Sequence, residues 1–160
     1  SGREYEGKYE PYGSYGNGSA MRVSPVVWIG NNPEEDAKKS AEVTHNHPEG
    51  IKGAQAVAFA IHIAKKGSPP ALIRRQVTEW YDFDETCQGT VPQAIICALE
   101  ATSFEDAIRN AISIGGDSDT VAAITGSIAE PIFWIPDDIR EKALSYLPNE
   151  MVDVVDQVYC

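Results

Sequence analysis

The chain has 160 residues, 42% of them apolar and 23% charged, with a formal net charge of −11 at pH 7. That balance suits one folded domain and not a disordered tract. A chain this acidic lacks the Lys and Arg excess that neutralises a nucleic-acid backbone, and it has no basic cluster to dock on anionic lipid. A phosphate compound stays compatible with it where metal ions or backbone N–H groups neutralise the phosphates locally.

Cys87, Cys97 and Cys160 are odd in number and follow no zinc or disulfide spacing, so reduced thiols in a cytoplasmic protein are expected. The polar start, Ser1-Gly2-Arg3-Glu4-Tyr5-Glu6, lacks the apolar centre of a signal peptide. No apolar run approaches the ~20 residues of a membrane helix. Residues 1–18, rich in Gly, Tyr and charge, read as an irregular opening segment of a single domain over 1–160.

From Ser19 the pattern is helical. Asn32-Pro33-Glu34-Glu35 predicts a helix start, with Asn at the N-cap, Pro at N1 and acids in the first turn. That helix should run to about Val43. The next begins at Pro48 and sets Ile51, Ala54, Val57, Ala58 and Ile61 on one face. Lys65-Lys66-Gly67 should end it. Pro69-Pro70 opens a helix to about Trp80, and Tyr81 to Gln88 is polar and irregular. Pro92 to Ala101 reads as a buried helix. Thr102-Ser103-Phe104-Glu105 reads as a capping box between Thr102 and Glu105. The helix it starts should end at Gly115-Gly116. A further helix, from Asp117 to about Glu130, carries Ala122, Ala123, Gly126 and Ala129, small residues suited to tight packing. Two last helices start near Pro136 and Pro148. No strand alternation is present, so the fold class is all-α, a compact bundle of about eight helices.

Gly115-Gly116-Asp117-Ser118-Asp119-Thr120 places two carboxylates and a hydroxyl at a helix N-terminus, after glycines that allow a sharp turn. Such oxygen donors suit Mg²⁺, Mn²⁺ or Ca²⁺ and not zinc. Asp and Ser at a helix start also stabilise it by ~1 kcal/mol with no metal, and local chemistry leaves both readings open. Tyr15-Gly16-Asn17-Gly18-Ser19-Ala20-Met21-Arg22 is a glycine-rich loop running into a helix. Its N–H groups could cradle phosphate, although an ordinary Asn-Gly turn explains it as well. Thr44-His45-Asn46-His47-Pro48 holds a His-x-His pair with no third soft ligand nearby. Tyr81-Asp82-Phe83-Asp84-Glu85 is an acidic cluster that reads as a solvated loop. Trp28, Trp80 and Trp134 read as core or rim and not as a base-stacking platform.

Four segments together resemble the ADP-ribosylglycohydrolase family, which includes the glycohydrolase that releases ADP-ribose from dinitrogenase reductase. They are Gly16-Asn17-Gly18-Ser19-Ala20-Met21-Arg22, Thr44-His45 before a long helix, Gly89-Thr90-Val91-Pro92-Gln93-Ala94, and Gly115-Gly116-Asp117-Ser118-Asp119-Thr120-Val121-Ala122-Ala123-Ile124. The resemblance covers nearly all of the chain. It implies an all-helical hydrolase of the glycosidic bond of an ADP-ribosylated protein or a small ADP-ribosyl compound. It also implies two Mg²⁺ ions, with Mn²⁺ as the substitute. By resemblance Asp117, Asp119 and Thr120 are metal ligands, and Asp117 and Asp119 are catalytic, Asp117 also touching the ribose. Ser14, Tyr15, Gly16, Asn17 and Gly18 bind the diphosphate and adenosine side, His45 touches the ligand, and Val91 lines the pocket.

The family's N-terminal part, with a catalytic-site Glu and a Thr-Asp-Asp-Thr run supplying the other metal ligands, has no counterpart in these residues. Asp137-Asp138 lies elsewhere and lacks the Thr. The resemblance therefore implies a C-terminal portion of a longer enzyme, acting with a complementing N-terminal chain or serving as a non-catalytic ADP-ribose or metal binder. At Glu130-Pro131-Ile132-Phe133-Trp134 the family usually has smaller or Tyr-Gly-containing sequence.

Overall fold

The structure, a computed structural model, describes Ser14, residues 16–81 and residues 89–159. Tyr15, the acidic cluster at 82–85, Cys87 and Cys160 lie outside the described residues, as does the side chain of Trp80. Ten helices and no strand are found among the described residues: α1 Gly18–Met21, α2 Ser24–Ile29, α3 Pro33–Glu42, α4 Pro48–Lys65, α5 Pro70–Tyr81, α6 Thr90–Glu100, α7 Phe104–Ser113, α8 Ser118–Phe133, α9 Asp137–Leu144 and α10 Asn149–Tyr159.

The starts of α3 and α4 follow the expected chemistry. Asn32 Oδ1 accepts from the Glu35 N–H at 3.4 Å, and Pro33 sits at N1. At α4, His47 is the N-cap, its Nδ1 accepting from the Glu49 N–H at 3.2 Å. Gly67 follows the end of α4 at φ +79°, a left-handed turn that glycine adopts without strain.

The capping box before α7 is one residue out of the expected register. Ser103, not Thr102, is the N-cap, and its Oγ accepts from the Asp106 N–H at 3.1 Å. The Asp106 carboxylate reaches back to the N–H and hydroxyl of Thr102, at 2.9 and 3.0 Å. Glu105, the expected partner, binds Arg109 one turn on, at 2.6 Å. The segment offers two hydroxyls and two acids in adjacent registers. Phe104 and Ala107 are buried, and that burial selects the register in which both face the core.

The centre of the molecule is α4, flanked by α1, α2, α3, α5, α6 and α8. It buries Ala54, Val57, Ala58 and Ile61 as expected, but also Ala56, Ala60, Ile63 and Ala64. A helix surrounded on several sides has no single apolar face, and its alanines let neighbours come close. Ile61, Ile73, Ile124, Ile128, Val23 and Val57 are fully buried. On α8, Ala129 is buried, and a Cβ on Gly126 would meet Ile108 Cδ1 at 3.2 Å, so that packing is close. Ala123, by contrast, is exposed. Thr125, buried on α8, donates its hydroxyl to the Ala94 carbonyl of α6 at 3.1 Å. No helix among the described residues is long and apolar enough to cross a membrane.

Candidate functional site

Two of the segments singled out in the sequence meet at the start of α1. Gly18 lies against His45: a Cβ there would be 3.0 Å from both Cε1 and Nε2 of the imidazole. Ser14 Oγ accepts from the Gly16 N–H at 3.2 Å. A Cβ on Gly50 would fall 2.9 Å from the Ser14 carbonyl and 3.2 Å from that of His45. A side chain at Gly50 would therefore push the loop off α4. Ser19 is buried and donates to the Gly50 carbonyl at 2.9 Å. The glycines at 18 and 50 thus serve close approach between loop, imidazole and helix.

A third segment joins this group. The Asn17 amide donates to Thr90 Oγ1 at 2.5 Å, tying the glycine loop to the first residue of α6. Val91, the next residue, is buried, its Cγ2 3.5 Å from where a Cβ on Gly53 of α4 would sit. Thr90 and Gly50 were not singled out individually by sequence reasoning. The position of Thr90 beside Val91 in a glycine-led motif is the one signal that could have found it, whereas a single glycine in the first turn of a helix carries none.

His45 itself is buried. Its Nδ1 lies 2.7 Å from the hydroxyl of Thr44. That hydroxyl accepts from the Arg22 guanidinium at 2.7 Å, and Arg22 also donates to the Ser40 carbonyl at 2.9 Å. Burial first, and then the Arg22 charge, push the His45 pKa below the usual histidine value. The imidazole is therefore neutral at pH 7. Its neighbour His47 caps α4, so the His-x-His pair is divided between a helix end and the glycine loop.

The fourth segment starts α8, which packs against α1, α4, α6 and α7. Gly115 and Gly116 have φ of +78° and +66°, and a Cβ on either would meet nothing within 4 Å. They are required by backbone conformation and not by crowding. Asp117 occupies the N-cap position of α8, yet its side chain makes no capping bond to the helix backbone. It accepts instead from Thr120 Oγ1 at 3.0 Å. Asp119 is exposed, and its carboxyl is held below the usual range first by a hydrogen bond with the Asp117 carboxyl, then by the N–H groups of Thr120 and of Asp119 itself. Two carboxyl groups and a hydroxyl are thereby gathered at one point. With both carboxyls ionised their charges would oppose each other, and a hard cation between them would take the place of the shared proton. The donor chemistry fits Mg²⁺ or Mn²⁺, although three protein donors are half of an octahedral shell. Among the described residues no group of three or more His, Cys, Asp or Glu is gathered about one point.

A model of the ADP-ribosylglycohydrolase family matches residues 1–157. The chain belongs to that family. It is 23% identical to an ADP-ribosylarginine hydrolase of Pseudomonas putida, over 96% of this chain and 50% of the relative. It is 24% identical to the human ADP-ribosylhydrolase ARH3, over 91% of this chain and 57% of the relative. It is 27% identical to the ADP-ribosyl-[dinitrogen reductase] glycohydrolase of Rhodospirillum rubrum, over 86% and 53%. The chain therefore spans about half the length of these relatives.

Proposed function

We propose that this chain carries the ADP-ribose-binding side and part of the metal site of a hydrolase that frees ADP-ribose from a modified protein or a small ADP-ribosyl compound. The observation that carries this reading is the meeting of the glycine loop, His45 and Thr90 in a chain whose relatives are named for that reaction. Backbone N–H groups of residues 14–18 and the neutral imidazole of His45 bind the diphosphate and adenosine side. Val91 closes the wall behind them. Holding the ADP portion there positions the anomeric carbon, which removes much of the entropic cost of reaction.

Asp117, Asp119 and Thr120 would hold the divalent ions, and Asp117 would also touch the ribose. When bound, Mg²⁺ or Mn²⁺ polarises the ribose hydroxyls and lowers the pKa of a water. The carboxylates of Asp117 and Asp119 stabilise positive charge as the glycosidic bond opens to an oxocarbenium-like transition state. The acceptor leaves as that bond breaks, water adds to the anomeric carbon through its oxygen, and the proton the water gives up ends on the acceptor. A cytoplasmic setting goes with this reading, and Cys97 is a buried free thiol. The test is release of ADP-ribose from a modified protein in Mg²⁺. Equal release by wild type and Asp119→Ala would remove Asp119 from the mechanism.

A second reading is favoured by the small number of metal donors gathered at Asp117 among the described residues. In it the chain binds ADP-ribose without turnover, and the remaining ligands come from a complementing N-terminal chain. Calorimetry separates the two: ADP-ribose binding with no release supports the second reading, and tight binding of two ions with turnover supports the first.

A further inference from the structure

We infer that Thr44 and Arg22 are positioning residues that fix the tautomer of His45, so that its Nε2–H, not its Nδ1–H, faces the glycine loop. This rests on the reading of that loop as an ADP-ribose site. A guanidinium can only donate. Arg22 Nη2 donates to Thr44 Oγ1 at 2.7 Å and to the Ser40 carbonyl at 2.9 Å. The Thr44 oxygen thus has one of its two lone pairs engaged, and His45 Nδ1 lies 2.7 Å from it. Among the described residues Nδ1 is the one acceptor placed against the Thr44 hydroxyl proton, so the arrangement that satisfies that proton has Nδ1 accepting and the ring proton of the neutral imidazole on Nε2.

Nε2 and Cε1 both come within 3.0 Å of the Cβ position of Gly18, and Nε2 is also 3.9 Å from that of Gly16. A donor there is suited to a ligand oxygen that crosses the loop, and a lone pair there would repel it. The placement is rigid because Arg22 follows α1 directly, while Ser40 and Thr44 bracket the end of α3. The pair joins the helix that the loop enters to the turn that carries the imidazole. Arg22 is the charged group whose field is felt at His45, and it acts in the same sense as burial, toward the neutral ring.

The experiment has two arms. In the ligand-free protein, ¹⁵N-resolved histidine spectra at neutral pH should show His45 as the Nε2–H tautomer with an unprotonated, hydrogen-bonded Nδ1. An Nδ1–H tautomer in wild type would overturn the inference, whatever binds in the loop. In the second arm, ADP-ribose is titrated calorimetrically into wild type, Thr44→Val, Thr44→Ser and Arg22→Met. Thr44→Val should bind about tenfold more weakly, as expected for loss of one hydrogen bond that orients a donor. Thr44→Ser, which keeps the hydroxyl, should stay within about twofold of wild type. Equal affinity of Thr44→Val and wild type would also overturn the inference. Failure of wild type itself to bind ADP-ribose would overturn the reading of the site, and the tautomer seen in the first arm would still decide the role of Thr44 and Arg22.

Discussion

Gly18 and His45 are in contact so close that a single methyl group on the glycine would lie 3.0 Å from two atoms of the imidazole. His45 is buried, with its Nδ1 side fixed on Thr44, so the ring cannot retreat cheaply. Gly18→Ala should cost about 1–3 kcal/mol of stability, the usual range for overpacking, and should weaken ADP-ribose binding. His45→Ala in the Gly18→Ala background should restore much of the stability, because neighbouring substitutions that share one space are not additive. Urea unfolding of the two single variants and the double variant measures this. Additive losses would mean that the ring is not what limits the space at residue 18.

Asp117 and Asp119 separate the metal reading from the capping reading. A helix cap contributes about 1 kcal/mol whether or not metal is present. Asp117 makes no side-chain bond to the backbone at the start of α8, binding the Thr120 hydroxyl instead, and Asp119 is exposed. Asp117→Ala should therefore unfold within about 0.5 kcal/mol of wild type in the absence of divalent ions, and Asp119→Ala, at an exposed carboxylate, should stay folded. Mg²⁺ should raise the melting temperature of wild type and leave both variants unchanged, since a ligand that binds only the folded state stabilises it by mass action. A loss of stability without Mg²⁺, and no response to it in wild type, would return these residues to the role of caps.

Acid should destabilise the fold through its buried imidazole. The His45 pKa is lowered, first by burial and then by Arg22, whereas the unfolded chain has the ordinary value of about 6.5. Between those two values the unfolded state binds more protons than the folded state. The contribution is thus fully present above about pH 6.5 and is lost as pH falls through the folded pKa. His62 shifts in the same direction, through burial, then Lys66 and Lys65, with Glu34 opposing. Denaturant unfolding as a function of pH should show a decline below about 6.5 that is shallower in His45→Gln. An unchanged slope would place the decline on other groups.

The legible parts of the sequence were those in which one residue type does one job. Asn32-Pro33 and Pro48 mark helix starts because Pro fits N1 and little else inside a helix. Gly115 and Gly116 mark a turn because their φ values are positive. Ambiguity entered where neighbours were chemically alike. Thr102 or Ser103 could cap α7, and Glu105 or Asp106 could answer, and the buried side of Phe104 decided between them. Ala123 and Ala129 are the same residue on the same helix, yet one is exposed and the other buried. The approach of Gly50 to the Ser14 carbonyl depends on a contact between distant segments, and no local pattern encodes it. Ser103→Ala should accordingly cost about 1 kcal/mol and Glu105→Ala less than about 0.5 kcal/mol, the value of an exposed pair on one helix face. Thermal unfolding of the two variants gives the order, and the reverse order would restore the Thr102–Glu105 register.

Trp134 ends α8 in a conformation that does not suit it. Its φ of +59° and ψ of +149° lie in a region that is essentially reserved for glycine, and it is the one non-glycine residue with positive φ among the described residues. Its N–H still bonds to the Glu130 carbonyl at 2.8 Å, so the strain is held by a helix-terminating contact. Little packing holds it from the other side, because the residue is 69% exposed. Strain of this kind costs about 1–3 kcal/mol, against about 0.5–1 kcal/mol of chain entropy for placing a glycine there. Trp134→Gly should therefore stabilise the protein by roughly 1 kcal/mol, seen as a higher melting temperature. Trp134→Ala removes the same indole but keeps the Cβ that causes the strain, and it should give no such gain. A gain of equal size from both variants would trace the effect to the exposed ring and not to the backbone.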